Sequence, residues 1–139
     1  MSTDPFRVHA EQVVNAFIAP PRRERLLELL ASPKKWEKFR QELPHAISGR
    51  FDERWARSLD THEQNPEALE TLLRGAGAPD TCVVISESPS QDGERPLRQA
   101  LEDVVGYSYG AFVSCIPGVL AYFESEDCNR ILLHRPEAR

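Results

Sequence analysis

The sequence predicts an α+β protein, with a helical N-terminal half of about four to five helices packed on a small mixed β-sheet of order β-α-β-β-β in the C-terminal half. Three observations predict it. Up to residue 79, apolar residues recur at helical spacing between cap-and-proline signals. From Thr81 onward the apolar runs become short and β-branched, and turn residues bound them. The 139-residue length suits one domain spanning 1–139, with no linker, repeat or low-complexity tract between residues 1–79 and 80–139.

Each element has its own signal. Asp4 caps a first helix and Pro5 suits its first position; Ala10, Val13, Val14, Phe17 and Ile18 then share one face, and Pro20-Pro21 stops it. Pro21 opens a second helix with Leu26, Leu27, Leu29 and Leu30 as its apolar side. Ser32-Pro33 starts a third, carrying Trp36, Phe39 and Leu43 and ending at Pro44. The stretch from Phe51 to Leu59 reads as a short helix burying Phe51, Trp55 and Leu59. Asn65-Pro66 begins another, with Leu69, Leu72 and Leu73 inside and Gly75 as its stop.

The run Cys82–Ser86 reads as a central strand. A polar loop follows, and Pro96 opens a helix burying Leu97, Ala100, Leu101, Val104 and Val105. The 24 residues between Ser86 and Ala111 suffice for a right-handed crossover to a parallel strand. Three antiparallel strands come next: Ala111–Ile116, Val119–Glu124 and Arg130–His134. Pro117-Gly118 fits the centre of a type II turn, whose twist suits a tight hairpin poorly and invites splaying. Pairing Ile116 with Val119 places Phe112, Ser114, Ile116, Val119, Ala121 and Phe123 on one face and Val113, Cys115, Leu120 and Tyr122 on the other. Both faces are mainly apolar, so the crossover helix is expected on one and the N-terminal helices on the other.

Composition narrows the function classes. No apolar run approaches the ~18 residues of a membrane helix, and the N-terminus carries no secretory signal pattern, so the expected location is cytoplasmic. Cys82, Cys115 and Cys128 are odd in number and lack C-x-x-C spacing, which favours reduced thiols. The net charge of −5 is unevenly spread: residues 22–40 hold seven bases and three acids, a balance of +4, whereas residues 60–127 hold three bases and thirteen acids, a balance of −10.

With parallel strands, ligands favour their carboxyl ends. That rule gathers Ser86, Glu87, Ser88, Asp92, Ser114, Cys115 and His134 on one rim as candidate catalytic groups of a small hydrolase or nuclease. The same residues also suit a solvated turn, and a strand cysteine is usually a small hydrophobe. His134 should lie two strands from Cys115, about 9.5 Å away. The acids Asp92, Glu94 and Glu124 make an incomplete cation triad, because Glu124 falls at the far end of its strand. Histidines and cysteines occur without ligand-pair spacing, and neither a phosphate loop nor a dinucleotide fingerprint is present, so no metal or cofactor is implied. The bases Arg22, Arg23, Arg25, Lys34, Lys35, Lys38 and Arg40 form the candidate binding surface. They suit a protein partner or self-association, and nucleic acid as an alternative, although Glu24, Glu28 and Glu37 interrupt them. The leading expectation is a non-catalytic interaction or accessory module of a cytosolic complex.

Overall fold

The computed structural model describes residues 4–46, 51–87, 93–108, 110–127 and 129–136. Within them the chain is α+β: five α-helices and one six-stranded sheet. No helix among the described residues is long and apolar enough to cross a membrane.

Helix α1 (Pro5–Phe17) starts as its sequence dictates, with the Asp4 carboxylate accepting from Phe6 N–H at 2.9 Å and Pro5 in the first turn. It ends at Ile18, which bridges to Phe51. Helix α2 (Pro20–Leu30) follows at once, and Trp36 Nε1–H donates to the carbonyl of Leu30 at 2.7 Å, satisfying a C-terminal acceptor. A 3₁₀ turn (Pro33–Lys35) leads into α3 (Trp36–Ala46), which buries Phe39 and Leu43. This helix continues two residues past Pro44, because a proline in the last turn forfeits only one ladder bond. Helix α4 (Pro66–Gly75) is capped by Asn65, whose side chain accepts from Ala68 N–H at 2.9 Å.

The expected helix from Phe51 to Leu59 does not form. Phe51 and Leu59 are buried and Trp55 is half-buried, yet the segment is a 3₁₀ turn (Glu53–Trp55) followed by strand β1 (Ala56–Ser58). Only three residues extend, and the open edge of β6 (Arg130–His134) captures them through the pairs Ala56–Leu133, Arg57–Leu132 and Ser58–Ile131. Nothing in the segment's own periodicity signals that edge.

The sheet order is β1-β6-β5-β4-β2-β3, and every pair is antiparallel. The parallel crossover is therefore corrected. Strand β2 (Thr81–Ser86) is followed by β3 (Gly93–Pro96), which returns along it with Thr81 opposite Pro96 and Val84 opposite Gly93. Helix α5 (Leu97–Val104) thus begins beside the start of β2, where Leu97 N–H donates to Asp80 O at 2.8 Å. It carries the chain to the end where β2 finished. Strand β4 (Ala111–Ile116) then has to run backwards, with Ala111 opposite Ser86. Gly93–Arg95, read from sequence as the end of a polar loop, and Pro96, read as the helix start, make the return that the helix was expected to make.

The remaining meander follows expectation, with β5 (Leu120–Glu124) between β4 and β6. In the intervening turn Val119 N–H donates to Ile116 O at 2.9 Å and Gly118 has φ 72°, as a type II turn needs at its second central residue. The hairpin relieves the mismatched twist by a register shift between Ser114 and Ile116, so Ile116 pairs with Leu120 instead of Val119. Ile116 and Val119 consequently pack beside Cys115 and Leu120, not beside Phe112 as the strict alternation predicts.

Both faces of the sheet are covered. Helices α1 to α3 pack on Val83, Ile85, Phe112, Ala121, Phe123 and Leu133. Helices α4 and α5 pack on Cys82, Val84, Val113, Cys115, Leu120, Tyr122 and Leu132. The placement of α4 with α5 divides the helical half between the two faces. At the centre of the first layer Phe112 and Phe123 lie with ring centroids 4.8 Å apart, and Phe51 meets both, at 6.2 and 5.3 Å. Replacing Phe123 by Ala should therefore cost about 3–5 kcal/mol, by the transfer and cavity terms together, measured as a lower urea midpoint at unchanged slope; a loss under about 1 kcal/mol would mean the site collapses freely.

Candidate functional site

The antiparallel topology separates the residues that the sequence gathered on one rim. Ser86 and Glu87 sit at the end of the sheet where β4 begins. His134 sits at the other end, opposite Leu120, which itself faces Ile116. Ser114 and Cys115 lie in the last part of β4, toward the His134 end and away from Ser86 and Glu87. Ser88 and Asp92 fall outside the described residues. Glu94, on the edge strand, pairs with Val83, whereas Glu124 pairs with Ala111 and Arg130. No group of three or more His, Cys, Asp or Glu side chains among the described residues could hold a metal ion.

Cys115 is buried and pairs with no base among the described residues; burial pushes its thiol far up, and the thiol of Cys82 is pushed up to about 12 for the same reason. Both are free thiols on the α4–α5 face of the sheet, and neither has the electropositive, accessible setting of a reactive cysteine. Cys128 lies outside the described residues. Ser114 has a partner that the sequence did not suggest. Its hydroxyl lies 2.7 Å from Nδ1 of His9 on α1, 105 positions away. Burial lowers the pKa of His9, so the neutral ring is the favoured state. Ser114 is wholly buried, which makes the pair a satisfied polar contact inside a core and no accessible nucleophile.

The strongest buried polar constellation surrounds Glu124, which is only 1% exposed. Its carboxylate accepts from the N–H of Gly106 at 3.0 Å, the N–H of Ser108 at 2.6 Å and the hydroxyl of Tyr122 at 2.7 Å. Arg130 Nε stands 3.4 Å away. The turn wraps this carboxylate by using left-handed backbone, with φ 93° at Gly106 and 53° at Ser108. Arg130 extends the network: Nη1 donates to Gln64 Oε1 at 2.9 Å, and Gln64 Nε2 donates to Leu59 O at 3.0 Å. The chain thereby ties the α5–β4 turn, β5, β6 and the β1 edge to one buried charge. Burial and the adjacent carboxylate raise the Tyr122 phenol far above its ordinary value, so it serves only as a donor. Every oxygen is directed at the protein's own groups, which is a structural use.

The seven candidate binding bases do not form one patch. Arg23 Nε donates to Ile18 O at 2.8 Å, and Arg40 lies over the Phe6 ring at 4.6 Å. Arg25 forms a two-point pair with Glu42, at 3.1 and 2.9 Å. That pair sets α2 and α3 side by side in opposite directions, so Arg22 falls at the far end of α2, about 12 Å along the axis from the α2–α3 turn. Lys34, Lys35 and Lys38 remain together at that turn, all exposed and without an ion pair among the described residues.

At the His134 end of the sheet lies an open groove of about 410 Å³, lined by Gln12, Asn15, Pro117, Gly118, Val119 and Arg135 among others. The backbone of Arg135 is anchored there by its N–H, which donates to Val119 O at 2.7 Å, and its guanidinium lies 5.4 Å from the centre of the Trp55 ring. Arg54 also lies over Trp55, at 5.2 Å, but its charge is spent on Asp52, with contacts of 2.7 and 3.0 Å. The sequence reasoning missed this groove. Its only signal was an arginine beyond the last strand.

Comparison with protein-family models, curated proteins and solved structures returns no match.

Two outcomes follow for the polar framework. Glu124→Ala leaves two backbone donors and a buried phenol without their acceptor and Arg130 without its buried counter-charge, and should cost about 3–5 kcal/mol in urea denaturation; Glu124→Gln, which keeps one carbonyl acceptor, should cost less. The second outcome concerns pH. Hydrogen bonds from Arg54 hold the Asp52 carboxyl down at about 2, below its ordinary 3.8, and those from Arg57 hold Glu63 at about 2, below 4.5. Both folded values are depressed, so the unfolded chain takes up these protons first. The stabilisation is complete above the ordinary values and is lost as pH falls towards 2. The urea midpoint should drop across that window, and drop less in the double variant Asp52→Asn, Glu63→Gln.

Proposed function

We propose that this chain is a non-catalytic interaction module that docks an acidic protein surface through Lys34, Lys35 and Lys38. The observation that carries the reading is their exposure without ion pairs among the described residues, at the turn where α2 meets α3. Two of these lysines stand in the 3₁₀ turn before α3, where positive charge opposes the helix dipole. Their placement there favours no internal contact, whereas an incoming carboxylate would meet both the lysines and the helix start. The remaining bases of the segment are committed inside the fold or lie at its other end.

A protein partner suits this corner better than a single nucleic acid strand. Stacking platforms for bases need exposed aromatic rings. The large exposed hydrophobics among the described residues are Val8 and Tyr107, and neither belongs to α2 or α3. The partner surface that the chain itself offers is its acidic second half, where Glu67, Glu94, Glu126 and Asp127 are exposed. Docking of a second copy head to tail is thus the first case to test.

Sedimentation velocity over a range of protein concentrations decides it. At about 20 mM salt the wild type should self-associate, and at about 500 mM, where screening reaches only a few ångströms, it should be monomeric. The triple variant Lys34→Glu, Lys35→Glu, Lys38→Glu should be monomeric at both. A wild type that stays monomeric at low salt, or a variant that associates like it, would overturn the head-to-tail form of the proposal.

A further inference from the structure

We infer that the groove between α1 and the β4–β5 turn is a binding site for a free carboxylate joined to an amide, the chemistry of a polypeptide C-terminus or an N-acyl amino acid. The lining argues for each half of that ligand. Arg135 supplies the carboxylate site. Its backbone is anchored by the 2.7 Å bond to Val119 O, and its guanidinium lies 5.4 Å from the centre of the Trp55 ring and meets no carboxylate among the described residues. A guanidinium held in this way offers a planar fork of donors that matches a carboxylate at two points.

Gln12 and Asn15 supply the amide site. They stand three residues apart on α1, so they share a face, and both are exposed. Each carboxamide carries a donor and an acceptor, which complements the N–H and C=O of a peptide unit. Among the described residues neither side chain is drawn into a helix cap or a core hydrogen bond. The floor is the Pro117-Gly118 turn. Its closeness to α1 depends on glycine, because a Cβ on Gly118 would stand 3.1 Å from Gln12 Oε1 and the residue has φ 72°. The turn therefore lies close against Gln12 at one side of the groove. A volume of about 410 Å³ lies within the range of small-ligand sites. This site is remote from the lysine corner and does not rest on it.

Amide-resolved NMR titration of the full chain tests the inference with three probes: acetyl-trialanine bearing a free carboxylate, the same peptide ending in an amide, and acetyl-alanine. The free-acid peptide should shift the backbone amides of Gln12, Asn15, Gly118, Val119 and Arg135. The amidated peptide should bind at least about tenfold more weakly, because it cannot take the charged two-point pair. Arg135→Ala should abolish the response. Asn15→Asp, on an exposed helical position that threatens no core contact, should weaken it about tenfold by placing a like charge in the groove. Tighter binding of the tripeptide than of acetyl-alanine would assign the site to a polypeptide end, and equal binding would assign it to an N-acyl amino acid; both support the inference. Absent shifts at these positions up to about 10 mM probe, equal affinity for the amidated peptide, or wild-type affinity in both variants would overturn it.

Discussion

A sheet buried on both faces meets the outside only at the ends of its strands and along its two edges, β1 and β3. Helices α1 to α3 close one face of the six strands and α4 with α5 close the other. The side chains between the layers, Phe112, Val113, Tyr122 and Phe123 among them, are committed to packing. Polar groups caught between the layers must find partners there, and the His9–Ser114 contact is one such solution. Chemistry directed outward is pushed to the ends of the strands, the edge strands and the outer surfaces of the helices.

The two ends are used differently. At the end where β5 finishes, the carboxylate of Glu124 is turned inward and folds the α5–β4 turn around itself, so that a charge fixes the loop. At the opposite end, Arg135 leaves the last strand and rests on Trp55 with its donors open, beside the carboxamides of α1. One end is consumed by structure and the other is left available. The same contrast divides the basic segment. Arg23, Arg25 and Arg40 brace the α1–α3 layer, whereas Lys34, Lys35 and Lys38 stand clear of it.

Much of the fold was legible because its signals are local. Asp4-Pro5 and Asn65-Pro66 each announce a helix start by a cap that reaches only two or three residues ahead. The Pro117-Gly118 turn and the meander after it follow from turn chemistry and from period-two patterning. The failures in the sheet are failures of pairing. Ala56–Ser58 is a strand only because β6 presents an open edge, and Gly93–Pro96 is a strand only because it can lie against β2. Neither segment is long enough to declare itself by periodicity. The candidate rim failed with them, since its assembly required β2 and β4 to run in the same direction.

Local signals were enough for the α+β class, the helix starts, most of the apolar sets that the elements bury, the final three-stranded meander and the basic turn before α3. Each of these depends on residues within a few positions of one another. Strand direction, the division of the helices between two faces, the buried Glu124 cradle and the Arg135 groove emerged only from the folded arrangement. They depend on groups tens of positions apart, such as His9 with Ser114 and Gln64 with Arg130, which meet only after the layers have closed. Hydrophobic pattern says which side of a segment is turned inward, but it carries no record of which neighbour waits there.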